Sequence, residues 1–346
     1  MENLIIPQNY RELLSPKETE KAILRIKDAF QTNLAFELDL IRVTAPVFVR
    51  SGTGINDDLN GVERPVRFHI GEMNDEQAEI VQSLAKWKRL ALADLGFEHG
   101  TGLYADMNAV RPDDKMDNTH SLYVDQWDWE LAIDPADRNL EFLKRIVGKI
   151  YDVIRRVERF VRHEYDVLRP LSLPEEITFI HTEDLAERYP RLTPRERENA
   201  VCQEHGAVFL IGIGAELAEG APHDGRAPDY DDWSTETFGG RRGLNGDILV
   251  HNPVLETAFE LSSMGIRVDP PALRRQLAEK GLEDRERLYF HRRLLAGEFP
   301  ASIGGGIGQS RLCMLYLRKA HIGEIQSSIW PDEMIRRCRD AGIHLL

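Results

Sequence analysis

Apolar positions along this chain recur with two periods, one near 3.6 residues and one of two, and the switches between them mark out the elements. Ser15-Pro16-Lys17-Glu18 is a capping box with proline at the first helical position. Ile23, Ile26, Phe30 and Leu34 then follow at helical spacing, which predicts a helix over 16–35. The stretch 38–49 is rich in β-branched residues and reads as strand, with Pro46 removing a ladder donor and so marking an edge or a bend. Strand-like runs at 65–71 and 78–84 precede a helix over 86–95, which Gly96 ends. Strands are expected at 101–111 and 120–126, separated by a polar turn over 112–119. The longest pattern, 137–166, sets Leu140, Leu143, Ile146, Val147, Ile150, Val153 and Ile154 on one stripe, as in an amphipathic helix lying on a sheet. A second capping box, Thr193-Pro194-Arg195-Glu196, opens a helix closed by Gly206, and 207–213 reads as a buried strand. The last third gives strands at 247–254 and 257–268, a helix over 271–297 and a glycine-rich turn entering a helix near 308. Strands outnumber the helices between them, so the expected class is α+β, a mainly antiparallel sheet flanked by helices. No repeat or linker interrupts the chain, and residues 1–346 read as a single domain.

Composition narrows the function. With 42% hydrophobic and 29% charged residues among 346, the chain has material for a large core and none of the bias of a disordered or coiled-coil protein. The formal net charge of −14 disfavours extended nucleic-acid binding and requires a locally basic pocket for any phosphate-rich ligand. Cys202, Cys313 and Cys338 are far apart and form neither a disulfide framework nor a zinc ribbon, which fits a reducing cytoplasm. The stretch 1–7 lacks the features of a leader, and nowhere do roughly 18 apolar residues run together, so no membrane partner is expected. The eleven histidines show no HExxH spacing, which speaks against a catalytic zinc.

Four stretches carry candidate chemistry. In Gly304-Gly305-Gly306-Ile307-Gly308-Gln309-Ser310-Arg311 the glycines let backbone approach a ligand. Arg311 sits in a first helical turn, where a cation opposes the helix dipole unless an anion or a flat base lies against it. In Glu260-Leu261-Ser262-Ser263-Met264-Gly265-Ile266-Arg267 a bulge near Gly265 is expected to gather Glu260, Ser263 and Arg267, a set suited to a hard cation and a carboxylate. Along 123–130, strand alternation puts Asp125, Trp127 and Trp129 on one side and Gln126, Asp128 and Glu130 on the other, a fit for a zwitterion on the polar face. The stretch 82–89 collects Lys86, Lys88 and Arg89, a candidate anion pocket, near Arg111-Pro112-Asp113. Asp229, Asp231 and Asp232 beside Trp233, and Asn245-Gly246-Asp247, are ordinary turn formers by composition.

Nine segments taken in order, 43–49 with Pro46, Asn56-Asp57-Asp58-Leu59-Asn60-Gly61, 83–89, 111–113, 120–130, 226–233, 244–250, 260–267 and 304–311, carry a resemblance. Together they resemble ammonia-dependent asparagine synthetase, the aspartate-ammonia ligase family, whose fold is similar to the catalytic core of class II aspartyl- and asparaginyl-tRNA synthetases. The resemblance spans almost the whole chain. It implies that Mg·ATP activates L-aspartate as a β-aspartyl-adenylate with release of pyrophosphate, and that ammonia then yields asparagine and AMP. It further implies a catalytic group of Asp57, Lys88, Arg111 and Gln126. Asp57 would position the substrate's ammonium group or the incoming ammonia, and Lys88, Ser83, Gln126 and Asp128 would hold aspartate. Arg267 would contact aspartate or its adenylate, and Asp231 would be a further pocket carboxylate. Arg111 would lie on the α-phosphate and Arg311 on adenine, with Gly306, Gly308 and Glu260 also at the nucleotide. Glu260 and Asp247, with Ser263, would hold Mg²⁺. Asp58 beside Asp57 is a second carboxylate, and register with Leu59 and Gly61 favours Asp57. The Pro46 segment looks like the family's dimer-forming motif, which implies a homodimer. The rival readings are a tRNA-charging synthetase, a non-catalytic paralogue and a glutamine-dependent enzyme. Net charge and the early first helix oppose the first; Arg111, Glu260 and Arg311 oppose the second; no cysteine after Met1 supports the third.

Overall fold

Ser15 accepts from the Glu18 amide while the Glu18 carboxylate reaches back to Ser15, and this reciprocal cap starts helix α1 (Pro16–Leu38). The computed structural model describes residues 4–57, 59, 63–169 and 173–346, so Asp58 lies outside the described residues. After α1 come β1 (Leu40–Arg42), β2 (Phe48–Arg50), β3 (Arg67–Ile70), β4 (Glu76–Ile80) and α2 (Ala85–Asp94). Next are β5 (Gly102–Val110), β6 (Tyr123–Ala132), α3 (Leu140–Glu164), β7 (Thr178–His181), α4 (Thr182–Arg188), α5 (Pro194–His205) and β8 (Ala207–Ile211). The chain continues through β9 (Asn245–Asn252), β10 (Thr257–Ile266), α6 (Pro270–Lys280), α7 (Tyr289–Leu295), β11 (Ser302–Gly308), α8 (Gln309–Tyr316) and α9 (Asp332–Asp340).

Eight strands form the main sheet in the order β1-β5-β6-β11-β10-β9-β8-β7, and β2, β4 and β3 form a small second sheet. The outermost pairings, β1 with β5 and β7 with β8, are parallel, and those between are antiparallel, as the α+β reading expects. The two periods of the sequence meet in the core. Ile26, Phe30 and Leu34 of α1 and Leu143, Val147, Ile150 and Ile154 of α3 bury against Trp127, Trp129, Ile303 and Ile307 from the sheet. Phe30 stacks on Trp127 with centroids 4.5 Å apart. The opposite sheet face is left to Gln126, Asp128 and Glu130, flanked by α2, α6 and α7 with their own apolar cluster around Leu273 and Phe290.

Two expectations need correction, and two elements were not foreseen. The glycine run is not a turn but the central strand β11, paired to β6 through Gly304–Glu130, Gly306–Asp128 and Gly308–Gln126. Its glycines are required by overhanging neighbours: a Cβ on Gly304 would strike the Glu130 carboxylate and Arg267, and one on Gly306 the Gln126 amide. The helix expected over 271–297 is two helices, because Gly281 takes a left-handed φ of 66° and closes α6, and a 3₁₀ turn over Glu283–Arg287 precedes α7. Strand β7 and α4 gave no pattern strong enough to read, being 4 and 7 residues long. Replacing Trp127 by alanine empties the centre of the core, and urea unfolding should show a loss of roughly 3–5 kcal/mol. A loss under about 1 kcal/mol would mean that this packing does not carry the sheet.

Candidate active site

The polar face of the sheet becomes a site through one irregularity. Glu260 pairs with Leu249 but Ser262 with Ile248, so Leu261 is an extra residue on β10. This bulge brings Glu260 onto the face of Ser263 and Arg267, as the sequence suggested, but it lies at Leu261 and not near Gly265. A cleft of about 330 Å³ opens there. It is lined by Asp57, Ser83, Lys88, Arg111, Gln126, Asp128 and Asp231, and on its other wall by Glu260, Ser263, Arg267, Gly306, Gly308 and Arg311. Asp247 is not in the lining and sits behind Arg226, whose Nη2 donates to its Oδ1 at 2.6 Å.

One end of the cleft is a buried charge network. Arg267, 2% exposed, donates to both oxygens of Glu130 at 2.8–3.1 Å and also to Asp231. Ser302 Oγ donates to the same Glu130 carboxylate at 2.7 Å. Burial opposes the Glu130 charge, but Arg267, Lys88 and Arg89 outweigh it and hold the carboxyl below its ordinary range. Lys88, 1% exposed, donates to Asp128 and to the Gly305 carbonyl at 2.8 Å; burial nevertheless lowers its pKa. Gln126, Asp128, Lys88 and Ser83 therefore present an amide, a carboxylate, an ammonium and a hydroxyl within one small region. Asn56 positions Asp57: its side chain donates to the Ile80 carbonyl at 3.2 Å and accepts from Gln82 N and Asp57 N at 2.9 and 3.0 Å. Tyr230 also lines the cleft, and burial together with the Asp57 charge pushes its hydroxyl well above the usual phenol range.

The other end suits a nucleotide. The Gln82 carbonyl accepts from Arg111 Nε at 3.1 Å and Nη2 at 3.0 Å, which fixes the guanidinium plane. Arg311 lies along the bulge, with Nη1 3.2 Å from both the Glu260 carbonyl oxygen and Oε2. Asp125 holds the start of α8, accepting from Ser310 N at 3.0 Å, and so satisfies the helix terminus that Arg311 opposes. Glu260 is 41% exposed to the cleft. Burial in the protein body acts against its charge, but Arg311 and Arg226 prevail and lower its pKa, while burial and the neighbouring Glu260 raise that of Asp247. Among the described residues no three His, Cys, Asp or Glu side chains form a self-contained metal site. Of Glu260 and Asp247, only Glu260 faces the cleft, with a carboxylate suited to a hard cation that takes its other ligands from phosphate oxygens and water, while Asp247 is held by Arg226 behind it.

Sequence reasoning grouped some residues wrongly. Lys86, Lys88 and Arg89 do not form one anion pocket: Lys86 pairs with Asp229 at 3.1 Å, Lys88 with Asp128, and Arg89 donates to the Val268 carbonyl at 3.0 Å. Their spacing on α2 sends them to different partners. The aspartates at 229–232 do shape turns, Asp232 accepting from Ser234 N and Thr235 N, but Asp229, Asp231 and Asp232 are also buried anchors for charge, with Asp232 2.7 Å from Arg138. Arg226, His120, Asp114 and Tyr230 line the cleft without having been singled out; Arg226 beside the aspartate-rich loop was the one legible signal.

The aspartate-ammonia ligase family model matches residues 17–342. An aspartate–ammonia ligase of Bacteroides thetaiotaomicron is 58% identical over 346 residues, 100% of each chain. Among solved structures, an asparaginyl-tRNA synthetase from Pyrococcus horikoshii complexed with asparaginyl-adenylate is similar with a TM-score of 0.66 at 14% identity, over 91% of this chain and 70% of that one. An aspartyl-tRNA synthetase from Entamoeba histolytica gives a TM-score of 0.61 at 16% identity, over 89% of this chain, which spans only 58% of that synthetase. These likenesses carry the fold, and the full-length identity carries the family: this chain belongs to the aspartate-ammonia ligases.

Proposed function

We propose that the protein amidates L-aspartate with ammonia at the expense of ATP through a β-aspartyl-adenylate, releasing pyrophosphate, AMP and asparagine. The observation that carries this reading is the joining, in one cleft, of the Lys88–Gln126–Asp128 group and the Arg111–Glu260–Arg311 group. The first matches a zwitterionic amino acid and the second a nucleotide phosphate and base.

A carboxylate is a poor electrophile, and its conversion to a mixed anhydride supplies a leaving group. The aspartate side-chain oxygen attacks the α-phosphorus, and the bond to pyrophosphate breaks. Arg111, held flat by Gln82, offers charge to the α-phosphate as negative charge builds there. Lys88, Ser83, Gln126 and Asp128 orient the aspartate, with Arg267 and Asp231 behind them as a rigid wall. Arg311 supports the base, and Gly306 and Gly308 leave room for the nucleotide against the sheet. Mg²⁺ would be held by Glu260, with Asp247 and Ser263 behind it, and supplies neutralisation of the ATP phosphates. In the second half, ammonium bound at Asp57 gives up a proton to that carboxylate, NH₃ attacks the activated carbonyl, and the nitrogen then releases its surplus proton to water as the amide forms. The C–N bond forms, and AMP departs with the electron pair of the broken C–O bond.

We read residues 1–346 as one catalytic unit, since β6, β11 and β10 from distant parts of the sequence are adjacent. A cytoplasmic location fits the three free, buried cysteines, and no described helix is long and apolar enough to cross a membrane. The net charge of −14 supports a function without nucleic acid. A homodimer is supported by the apolar side chains Phe36, Ile41, Val47 and Phe48, which are 50–84% exposed around α1, β1 and β2.

With aspartate, Mg·ATP and ammonium, the expected products are asparagine and AMP; formation of ADP would point to an acyl phosphate and reject the adenylate. Arg111→Ala should slow adenylate formation roughly 10²–10³-fold, whereas Asp57→Ala should chiefly harm ammonia transfer. At fixed total ammonia the rate should climb on the alkaline side, and a maximum near about pH 6 would contradict NH₃ as nucleophile. In sedimentation, the protein should run at twice 39.6 kDa and the Ile41→Asp, Phe48→Asp double variant at 39.6 kDa. A 39.6 kDa wild-type species would remove the dimer.

A further inference from the structure

A second cavity, of about 370 Å³, lies behind Asp57. Its walls come from the 50–57 segment, from Pro65, Arg67 and Glu79 of the small sheet region, from Lys86 of α2, and from Asp229, Arg285, Leu288 and His291. Asp57 and Glu63 line both this chamber and the substrate cleft, so the two spaces share a wall. The chamber therefore reaches Asp57 without crossing the part of the cleft where Arg111, Glu260 and Arg311 stand.

Its charges point to a small cation and away from a phosphate. Each chamber cation is already engaged by a carboxylate: Arg67 with Glu79 at 3.1 Å, Lys86 and Arg285 each with Asp229 at 3.1 Å, and Arg50 with Glu76 at 3.2 Å. A polyanion would have to break these pairs, of which Lys86–Asp229 is buried on both sides. A water-sized ion need break none, and 370 Å³ holds several molecules the size of water. Unused hydrogen-bonding capacity is also built into the wall. His291 donates from Nε2 to Asp229 at 3.0 Å, and among the described residues neither Nδ1 of this fully buried histidine nor Oδ1 of Asp229 has a hydrogen-bond partner. His291 Nδ1 faces Gly54, another chamber residue, at which a Cβ would stand 2.9 Å from it.

We propose that this chamber is the intake for ammonium, delivering it to Asp57 from the side opposite the nucleotide. The proposal rests on the adenylate reading and adds the route by which the second substrate arrives while the first intermediate fills the cleft. Only transport of the ion is involved, and no bond changes before Asp57. Leu288, half-buried in the wall and 3.0 Å from a Cβ built on Gly54, is the place to narrow the passage. Arg67, half-exposed, is the place to change the charge, since without it Glu79 draws cations more strongly.

The test measures KM for ammonium, aspartate and ATP, together with aspartate-dependent exchange of pyrophosphate into ATP without ammonium. Leu288→Trp should raise KM for ammonium about tenfold or more, leaving exchange and the other two KM values within about twofold. Arg67→Ala should move KM for ammonium in the opposite direction at low ionic strength, an effect that added salt removes. Opposite shifts cannot arise from general damage to the fold. Unchanged ammonium KM in both variants, with normal exchange, overturns the intake. Loss of exchange in Leu288→Trp, with Arg67→Ala unchanged for ammonium, overturns it as well. Absence of exchange in the unsubstituted protein would instead overturn the adenylate reading.

Discussion

Charge removed from water must be paired, and that requirement shapes the whole substrate face of this sheet. Arg267, Glu130, Asp231, Lys88 and Asp128 are all nearly inaccessible, and each is held by an opposite charge. Breaking such a pair by removing one partner typically destabilises a protein by roughly 3–5 kcal/mol. The network can form only if the intervening strand, past Ser302, whose hydroxyl joins the network, carries no side chains on that face. The glycines at 304 and 306 of β11 satisfy this. The same strand ends at Gly308, immediately before α8 and Arg311, so the buried charge network and the Arg311 end of the cleft are joined by one continuous piece of chain.

The helical side of the sheet supplies the rigidity. Trp127 and Trp129 alternate with Gln126, Asp128 and Glu130 along β6, so the strand that anchors the core against α1 and α3 is also the strand that presents polar groups to the cleft. A shift of one residue in its pairing would exchange the two sets, and burial of two tryptophans makes that shift prohibitive. Asp125 extends the coupling by binding Lys27 of α1 at 3.1 Å and the start of α8 at 3.0 Å. Core packing thus sets the positions of Gln126, Asp128 and Arg311, while Asp57 and Arg111 are held by the Asn56 side chain and the Gln82 carbonyl in the loops beside them.

Much of this was readable from local pattern. The two capping boxes, the stripe of α3 and the alternation along β6 are short-range signals, and the structure follows them. What could not be read was non-local. The glycine run suggests a turn because nothing in it reveals that Glu130 and Gln126 will overhang it from a strand more than 170 residues earlier in sequence. Asp229 to Asp232 resemble turn residues until Lys86, Arg138 and Arg267 arrive from elsewhere. The bulge on β10 was sought at its glycine, but pairing with β9 placed it at Leu261. The residues of the proposed site were legible chiefly through family likeness, and their gathering into one cleft is a property of the fold.

The most direct measurement is a crystal structure with aspartate and a non-hydrolysable ATP analogue bound together. The account expects the purine against Arg311, the α-phosphate at Arg111, and the aspartate on Lys88, Gln126 and Asp128 with its side-chain carboxylate facing that phosphate. A nucleotide seated away from Arg111 and Arg311, or an aspartate whose main-chain carboxylate faces the phosphate, would contradict it.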